Sequence, residues 1–134
     1  MTLPPDVVEP MPQGDLAIRV IAMPADANPN GDIFGGWLLS QMDLAGGNVA
    51  MARARGRVAT VAVDSMTFIS PVFVGDEVSI YAHMISAGRT SMHIHVEAWR
   101  RNRHTEAMNR VTDATFVFVA TDANNRPRPL PVQA

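Results

Sequence analysis

Two hydrophobic periods divide the chain. From Trp37 to Arg55 apolar residues return at helical spacing, with Leu38, Met42, Ala45 and Val49 on one face. Arg53 and Arg55 then place cations in the last turn and Gly56 follows, the pattern of a helix C-terminus. Four later segments read as strands: Val58–Phe68, Glu77–Ala87, Ser91–Arg100 and Arg110–Ala120. In the third, Met92, Ile94, Val96 and Ala98 face one way, and His93, His95, Glu97 and Trp99 the other. Ser86-Ala87-Gly88-Arg89 marks a tight turn before it. A first strand is expected over Leu16–Met23, ahead of a loop at Pro24–Asp32 dense in Pro, Asn, Asp and Gly. One strand, one long helix and four strands predict an α+β fold, with the helix packed on a single curved five-stranded antiparallel sheet.

The ends differ from this middle. Residues 1–13 carry Pro4, Pro5, Pro10 and Pro12 and read as a disordered arm, leaving 14–121 as the folded domain. Residues 122–134, with Pro127, Pro129, Pro131, Arg126 and Arg128, read as a solvated tail. Inside the helix, Gly46-Gly47 is a local cost of up to ~1 kcal/mol per glycine relative to alanine. Close approach of another backbone, a strand or a second helix, would offset it.

Composition narrows the function classes. At 134 residues the chain is long enough for one domain with a proper core. A net charge of −2 gives no reason to expect nucleic acid as a partner. Without cysteine there is no disulfide, no thiolate zinc site and no thiol catalysis, which fits the cytoplasm. No apolar run reaches the ~18 residues of a membrane span, and no basic stretch followed by an apolar run opens the chain as a signal peptide would. The nine methionines read as core filling.

The most informative stretch is Asn-Pro-Asn-Gly-Asp-Ile-Phe-Gly-Gly-Trp-Leu-Leu-Ser-Gln-Met-Asp, residues 28–43. A turn-rich loop runs into a Gly-Gly pair at a helix start, where free N–H groups and partial positive charge are available. Asp43 stands where a hydrophobe is expected, and a carboxylate among apolar residues is costly unless it is paired or used. The functional reading is a site that polarises a carbonyl and activates a water. The structural reading is a buried carboxylate serving backbone donors or an arginine. Asp43 follows Gly36 by seven residues, roughly 10 Å along a helix axis. That is too far for both to act on one carbon within a chain. Two antiparallel helices across a two-fold axis would bring Gly36 of one chain to Asp43 of another, so an obligate dimer with composite sites is expected. His93 and His95 share a strand face, yet no supporting cluster beyond Glu97 makes them metal ligands. They are expected at the surface or a subunit interface, His83 and His104 have no evident partner, and no metal is expected.

Asn28, Gly31, Phe34-Gly35-Gly36 and Asp43, within the strand–helix–four-strand order, resemble the hotdog-fold acyl-CoA thioesterases. Met23 to Asp26, Asn30 to Trp37 and Gln41 to Asp43 resemble the YciA-type subfamily in particular. Gly56 to Val58, Val63 to Phe68, Pro71-Val72, Val74 to Asp76 and Gly88 to Ser91 extend the similarity over about residues 12–130. The resemblance implies hydrolysis of acyl-CoA to a free acid and coenzyme A, with no cofactor beyond the substrate. It implies Asp43 as general base or nucleophile, Asn28 holding the thioester carbonyl or the water, and the Gly36 N–H as oxyanion hole. Gly35 and Phe34 flank that hole; relatives often carry a histidine where this chain has Phe34, so a side-chain donor is lost. Some relatives place a Ser or Thr on the following strand; that position is Ala62 here, with Thr60 and Ser65 nearby. Gly88, Arg89, Thr90 and Ser91 resemble the segment that contacts the phosphates of coenzyme A, with Arg57 a second candidate; a plain hairpin turn is the alternative. The resemblance also implies a trimer of dimers, for which the face bearing His93, His95 and Trp99 is a candidate contact. Two other functions stand beside hydrolysis: a hotdog hydratase or dehydratase, and a non-catalytic acyl-CoA-binding module. The hydratases use an Asp and His pair on a short helical segment, and no histidine lies between residues 24 and 55.

Overall fold

A computed structural model describes residues 11–133; most of the N-terminal arm, residues 1–10, lies outside them. The elements run β1 (Asp15–Ile21), a 3-10 turn at Pro24–Asp26, α1 (Gly35–Ala54), β2 (Val58–Asp64), β3 (Glu77–Ala87), β4 (Ser91–Arg101) and β5 (Met108–Ala120). The five strands form one antiparallel sheet in the order β1-β3-β4-β5-β2. The helix lies across one face of it, as the alternation and the helical period together require.

Leu38, Met42, Ala45, Gly46, Gly47, Ala50 and Ala54 are the buried positions of α1. They meet the inward residues of β3, β4 and β5: Val78, Ile80, Met92, Ile94, Val96, Phe116 and Phe118, all 2% exposed or less. A side chain of this kind contributes about 1.5–3 kcal/mol when fully buried, so this one contact layer supplies most of the core. The small residues of α1 let it sit low on the sheet. A Cβ at Gly46 would lie 3.1 Å from the Phe118 ring and 3.2 Å from a Val96 methyl. The close approach expected at Gly46-Gly47 is therefore made by side chains of β4 and β5, not by another backbone.

Several boundaries differ from the sequence reading. The helix ends on Arg55, which takes the left-handed conformation (φ 53°) and donates its N–H to Met51 O; the residue in the C-cap role is the arginine rather than Gly56. Strand β2 stops at Asp64 instead of Phe68 because Ser65 turns left-handed (φ 52°). The segment beyond is tied to β5 by other bonds: Ile69 N–H to Val111 O at 2.8 Å and the Thr112 hydroxyl to Thr67 O at 2.7 Å. Strand β2 also carries a bulge. Thr60 pairs with Phe118 and Ala62 with Val117, so Val61 is an extra residue.

The outer face of β4 is only partly a surface. His93 is exposed, but Glu97 and Trp99 are each 3% exposed. Glu97 accepts the indole N–H of Trp99 at 2.9 Å, lies 2.9 Å from His95 Nε2, and accepts the Gln13 N–H at 3.5 Å. Trp99 is thus spent within the protomer and does not stand free for contacts between dimers. His83, expected to lack a partner, has its ring 5.4 Å from that of His95 but its buried Nδ1 has no hydrogen-bond partner among the described residues, and His104 accepts an Arg103 N–H at 3.3 Å.

The C-terminal segment folds back instead of trailing into solvent. Arg128 N–H bonds Ala120 O, Leu130 N–H bonds Arg89 O, and the Arg53 guanidinium bonds Pro131 O at 2.8 Å. Leu130 packs against the core.

Candidate active site

Asn28 opens the loop that leads into α1. Its Oδ1 accepts the N–H groups of Asn30 (2.9 Å) and Asp32 (3.3 Å), and its backbone closes the same loop through Asp32 O and the Gly31 N–H. Gly31 takes φ +93°, a conformation glycine adopts without strain. With its carbonyl oxygen fixed by two donors, Asn28 has its amide NH2 left to offer a ligand, so it is placed to donate to an oxygen.

Phe34 is the N-cap of α1 and provides no side-chain cap. The first N–H groups with an acceptor are those of Trp37 and Leu38, both to Phe34 O at 3.1 and 3.3 Å. The N–H groups of Gly35 and Gly36 precede these and have no helical carbonyl to reach. A serine or aspartate cap would normally accept from this turn; here the positive end of the helix is left open. Gly35 is glycine for an internal reason, since a Cβ there would lie 3.3 Å from the Phe68 ring. At Gly36 a Cβ would meet nothing within 4 Å. Packing within the protomer does not call for glycine at 36, whereas close approach of a ligand to its N–H does.

Asp43 lies two helical turns further on, half-buried. Its Oδ1 accepts the Thr60 hydroxyl at 2.6 Å. It serves no backbone donor and no arginine among the described residues. Gly36 and Asp43 line one cavity of about 280 Å³ together with Leu39, Ser40, Thr60, Val63 and Phe116. Asp43 is the one charged residue in that lining. Asn28, Phe34 and Gly35 line a neighbouring cavity of about 420 Å³, walled by Ile33, Leu38, Val72 and Val111 and by the 68–71 segment. The helix start, with Gly35 in one cavity and Gly36 in the other, joins the two.

Arg57 and the Gly88–Ser91 turn lie apart from Asp43, at the sheet end where β2, β4 and β5 meet the C-terminal segment. Thr90 O accepts the Ala120 N–H at 2.9 Å and Arg57 O accepts the Thr121 N–H at 3.0 Å. Arg57 precedes Thr60 by three residues, roughly 10 Å along a strand. The Arg57 guanidinium is engaged by the C-terminal turn, at 2.5 Å from Asn125 Oδ1 and 3.3 Å from Ala123 O. The same turn holds Asp122, whose carboxyl is lowered first by hydrogen bonds from the Arg126 and Asn124 N–H groups, with burial opposing and the Arg57 and Arg128 charges adding. The Arg89 guanidinium makes no hydrogen bond or ion pair with the described residues. No three His, Cys, Asp or Glu side chains converge as a metal site among the described residues.

Thr60, the hydrogen-bond partner of Asp43, owes its orientation to a feature that alternation does not foresee. Strict alternation gives Thr60 and Ala62 the same face. The bulge at Val61 breaks the alternation. Only its pairing partners reveal it: Thr60 sits opposite the inward Phe118, and Ala62 opposite the outward Val117.

Three comparisons bear on this geometry. A model of the thioesterase superfamily matches residues 30–107. The acyl-CoA thioester hydrolase YciA of Salmonella typhimurium is 51% identical over 125 residues, 91% of this chain and 94% of that protein. Two solved structures are similar along most of the chain. The hexameric thioesterase of Yersinia pestis superposes with a TM-score of 0.87 at 50% identity, over 92% of this chain and 100% of that one. A hexameric hotdog fold thioesterase of Campylobacter jejuni does so with a TM-score of 0.82 at 36% identity, over 88% and 91%.

Proposed function

This chain belongs to the thioesterase superfamily, with the hotdog fold, and is an acyl-CoA thioester hydrolase; from that premise we propose that Asp43 activates the attacking water while the Gly36 N–H receives the charge of the carbonyl oxygen. The observation that carries the reading is the pair of unsatisfied groups on one helix face: a carboxylate with a single hydroxyl partner, and an uncapped N–H with open space before it.

The water oxygen adds to the thioester carbon as a proton passes to Asp43. The carbonyl oxygen becomes an oxyanion held by the Gly36 N–H at the positive end of α1 and by the Asn28 amide. The tetrahedral intermediate then expels the sulfur, the C–S bond breaks, and the proton on Asp43 goes to the departing coenzyme A thiolate. This route uses no metal or cofactor.

The ~10 Å of helix between Gly36 and Asp43 assigns them to different protomers. Strand β2 is a sheet edge, exposed along nearly its whole length, with Val61 57% and Val63 41% exposed. Leu44 and Met51 of α1 add apolar surface at 60% and 47%. A long apolar edge strand is a liability unless another strand covers it. In this proposal two copies pair there, antiparallel, so that Asn28 and Gly36 of one protomer face Asp43 of the other. Three such dimers give the hexamer that the Yersinia pestis and Campylobacter jejuni relatives form. Gly88–Ser91 and Arg57 are assigned to the phosphates, with the exposed Arg89 as the available cation. A cytoplasmic location is proposed with this reading.

The test is coenzyme A release from short, medium and long acyl-CoAs by the wild type and Asp43→Ala, with assembly followed by light scattering. Turnover that collapses in a mutant of unchanged mass supports the reading. Equal rates remove Asp43 from the chemistry. A stable wild-type monomer that turns over removes the composite site.

A further inference from the structure

The C-terminal segment carries an alternation of its own. Pro127, Pro129 and Pro131 alternate with Arg128 and Leu130. A proline has no N–H to place, and it restricts the residue before it to an extended conformation. The two N–H groups left between the prolines are both used: Arg128 donates to Ala120 O at 2.9 Å and Leu130 to Arg89 O at 2.8 Å. Thr121 and Pro127 pair as an antiparallel bridge at the base of the turn that holds Asp122. The Leu130 side chain packs against the core, and Arg53, in the last turn of α1, donates to Pro131 O at 2.8 Å. The segment is thus an extended strap, fastened to the end of β5, to the β3–β4 hairpin and to the end of the helix.

At the hairpin the strap holds the Gly88–Ser91 turn. The turn closes on itself through the Gly88 N–H on Ser91 O at 2.8 Å. Two bonds reach it from outside: Ala120 N–H on Thr90 O, and Leu130 N–H on Arg89 O. Arg53 and Arg57 are engaged by the C-terminal segment, whereas the Arg89 guanidinium has no partner among the described residues. The cation left for a ligand therefore stands on the residue whose carbonyl the strap holds. We propose that residues 127–131 position Arg89 for the phosphates of coenzyme A, with Leu130 as the positioning residue. The inference rests on the assignment of that turn to the phosphates above. Fixing the backbone of Arg89 in advance leaves less to be ordered when the phosphates bind. The nucleotide end takes no part in the bond changes at the thioester carbon, so the strap lowers KM and leaves kcat alone.

The test compares acyl-CoA with the same acyl group on pantetheine, a thioester without phosphates. In a chain ended after Pro129, which lacks the Leu130 N–H and the Pro131 carbonyl, KM for acyl-CoA is expected to rise roughly 10-fold, the lower end of what a charge-assisted hydrogen bond contributes. Its kcat is kept, and KM for the acyl-pantetheine does not move. In an Arg89→Ala background the shortened chain shows no further rise, because strap and arginine act as one unit. A wild-type KM for acyl-CoA in the shortened chain, an equal rise for both thioesters, or a rise that adds fully to that of Arg89→Ala overturns the proposal. If the shortened chain does not assemble, Arg53→Gln releases Pro131 with Leu130 in place; a smaller rise confined to acyl-CoA is expected, and an unmoved KM again overturns the proposal. An Arg89→Ala enzyme with a wild-type KM for acyl-CoA overturns the phosphate assignment itself, so the two failures are distinct.

Discussion

Asp76, in the turn before β3, and Asp43, in the middle of α1, show how differently one fold treats two carboxylates. Asp76 is 2% exposed, and its Oδ2 accepts both the Phe73 N–H at 2.9 Å and the Arg100 guanidinium at 3.1 Å. Arg100 in turn lies over the Phe73 ring, 5.4 Å from its centroid. Glu97 is held in the same manner by Trp99, His95 and Gln13. Glu97 spends both its oxygens on the chain itself, Asp76 is tied through Oδ2 to an arginine and a backbone N–H, and both join strands and turns. Asp43 has one neutral partner and faces a cavity. Burial separates the two kinds, since Asp76 and Glu97 are 2% and 3% exposed while Asp43 is half-buried. So do the partners, two or three donors for Asp76 and Glu97 against one hydroxyl for Asp43, whose open side is what chemistry can use.

The sharpest way to break this contrast is to neutralise both. Asp43→Asn keeps size and removes the base, so kcat is expected to fall by about 10²–10⁴. Its denaturation midpoint should stay near wild type. Asp76→Ala should do the opposite: it leaves the part-buried Arg100 guanidinium and the Phe73 N–H without their acceptor, a loss of at most the about 3–5 kcal/mol of a broken buried pair, read as a lower denaturant midpoint, while kcat of the folded fraction is kept. An Asp43→Asn enzyme that is unstable but active would place Asp43 with Asp76 as a structural residue.

A smaller effect tests how the contrast is built. At Gly46→Ala the new methyl would press on Phe118 and Val96, which are 2% and 0% exposed and have little room to yield. The helix must rise by a few tenths of an ångström. Alanine recovers up to ~1 kcal/mol of helix propensity, which offsets the strain in the stability measurement. The bond from Thr60 to Asp43 has no such compensation. A loss of roughly tenfold in kcat with little change in thermal midpoint is expected; unchanged kcat would show that the helix height is not set at Gly46.

The same contrast explains what was legible in the sequence. Strand β3 begins and ends where its pattern places it, and the buried face of β4 is the alternating set Met92, Ile94, Val96 and Ala98. Strand β4 buries its row from Met92 to Ala98 fully and β3 its row from Val78 to Ala82, and burial writes itself into alternation. Asp43 was legible as an anomaly, a charge breaking an apolar face. Its partner was not, because a bulge leaves no mark in a strand as uniformly small and apolar as Val58–Val63. Nor was the burial of Glu97 and Trp99, which depends on hydrogen bonds to His95 and Gln13 on a face that reads as polar. Arg55 took the left-handed position from Gly56 because an arginine can adopt it at the end of a helix. For the bulge and for Gln13 on Glu97 the missing information was a pairing between distant residues, which local patterns do not carry.

The smallest expected effect lies at the other end of the sheet and concerns pH. Asp122 Oδ1 accepts the N–H groups of Asn124 at 2.8 Å and Arg126 at 3.0 Å, which lower its carboxyl from the ordinary 3.8. A carboxylate lowered on folding contributes stability that is complete above its unfolded value and is lost as pH falls through the folded one. The contribution of Asp122 is therefore present at pH 7 and fades only below about pH 4. Asp122→Asn leaves an oxygen to accept both N–H groups but removes the charge, so its thermal midpoint should be less sensitive to pH in that acid window than that of the wild type. Glu77, lowered from 4.5 chiefly by its hydrogen bond with Arg101, should behave alike in Glu77→Gln. The two variants part company at neutral pH. Glu77 lies at the end of β3 opposite the Gly88–Ser91 turn and is bonded to Arg101, and its variant should turn over normally. The Asp122 turn holds Arg57, so a raised KM for acyl-CoA with unchanged kcat in Asp122→Asn would tie that turn to the nucleotide end of the substrate. An unchanged KM would leave Arg57 as a clamp for the C-terminal segment, and Arg89 as the cation on which phosphate recognition at this end depends.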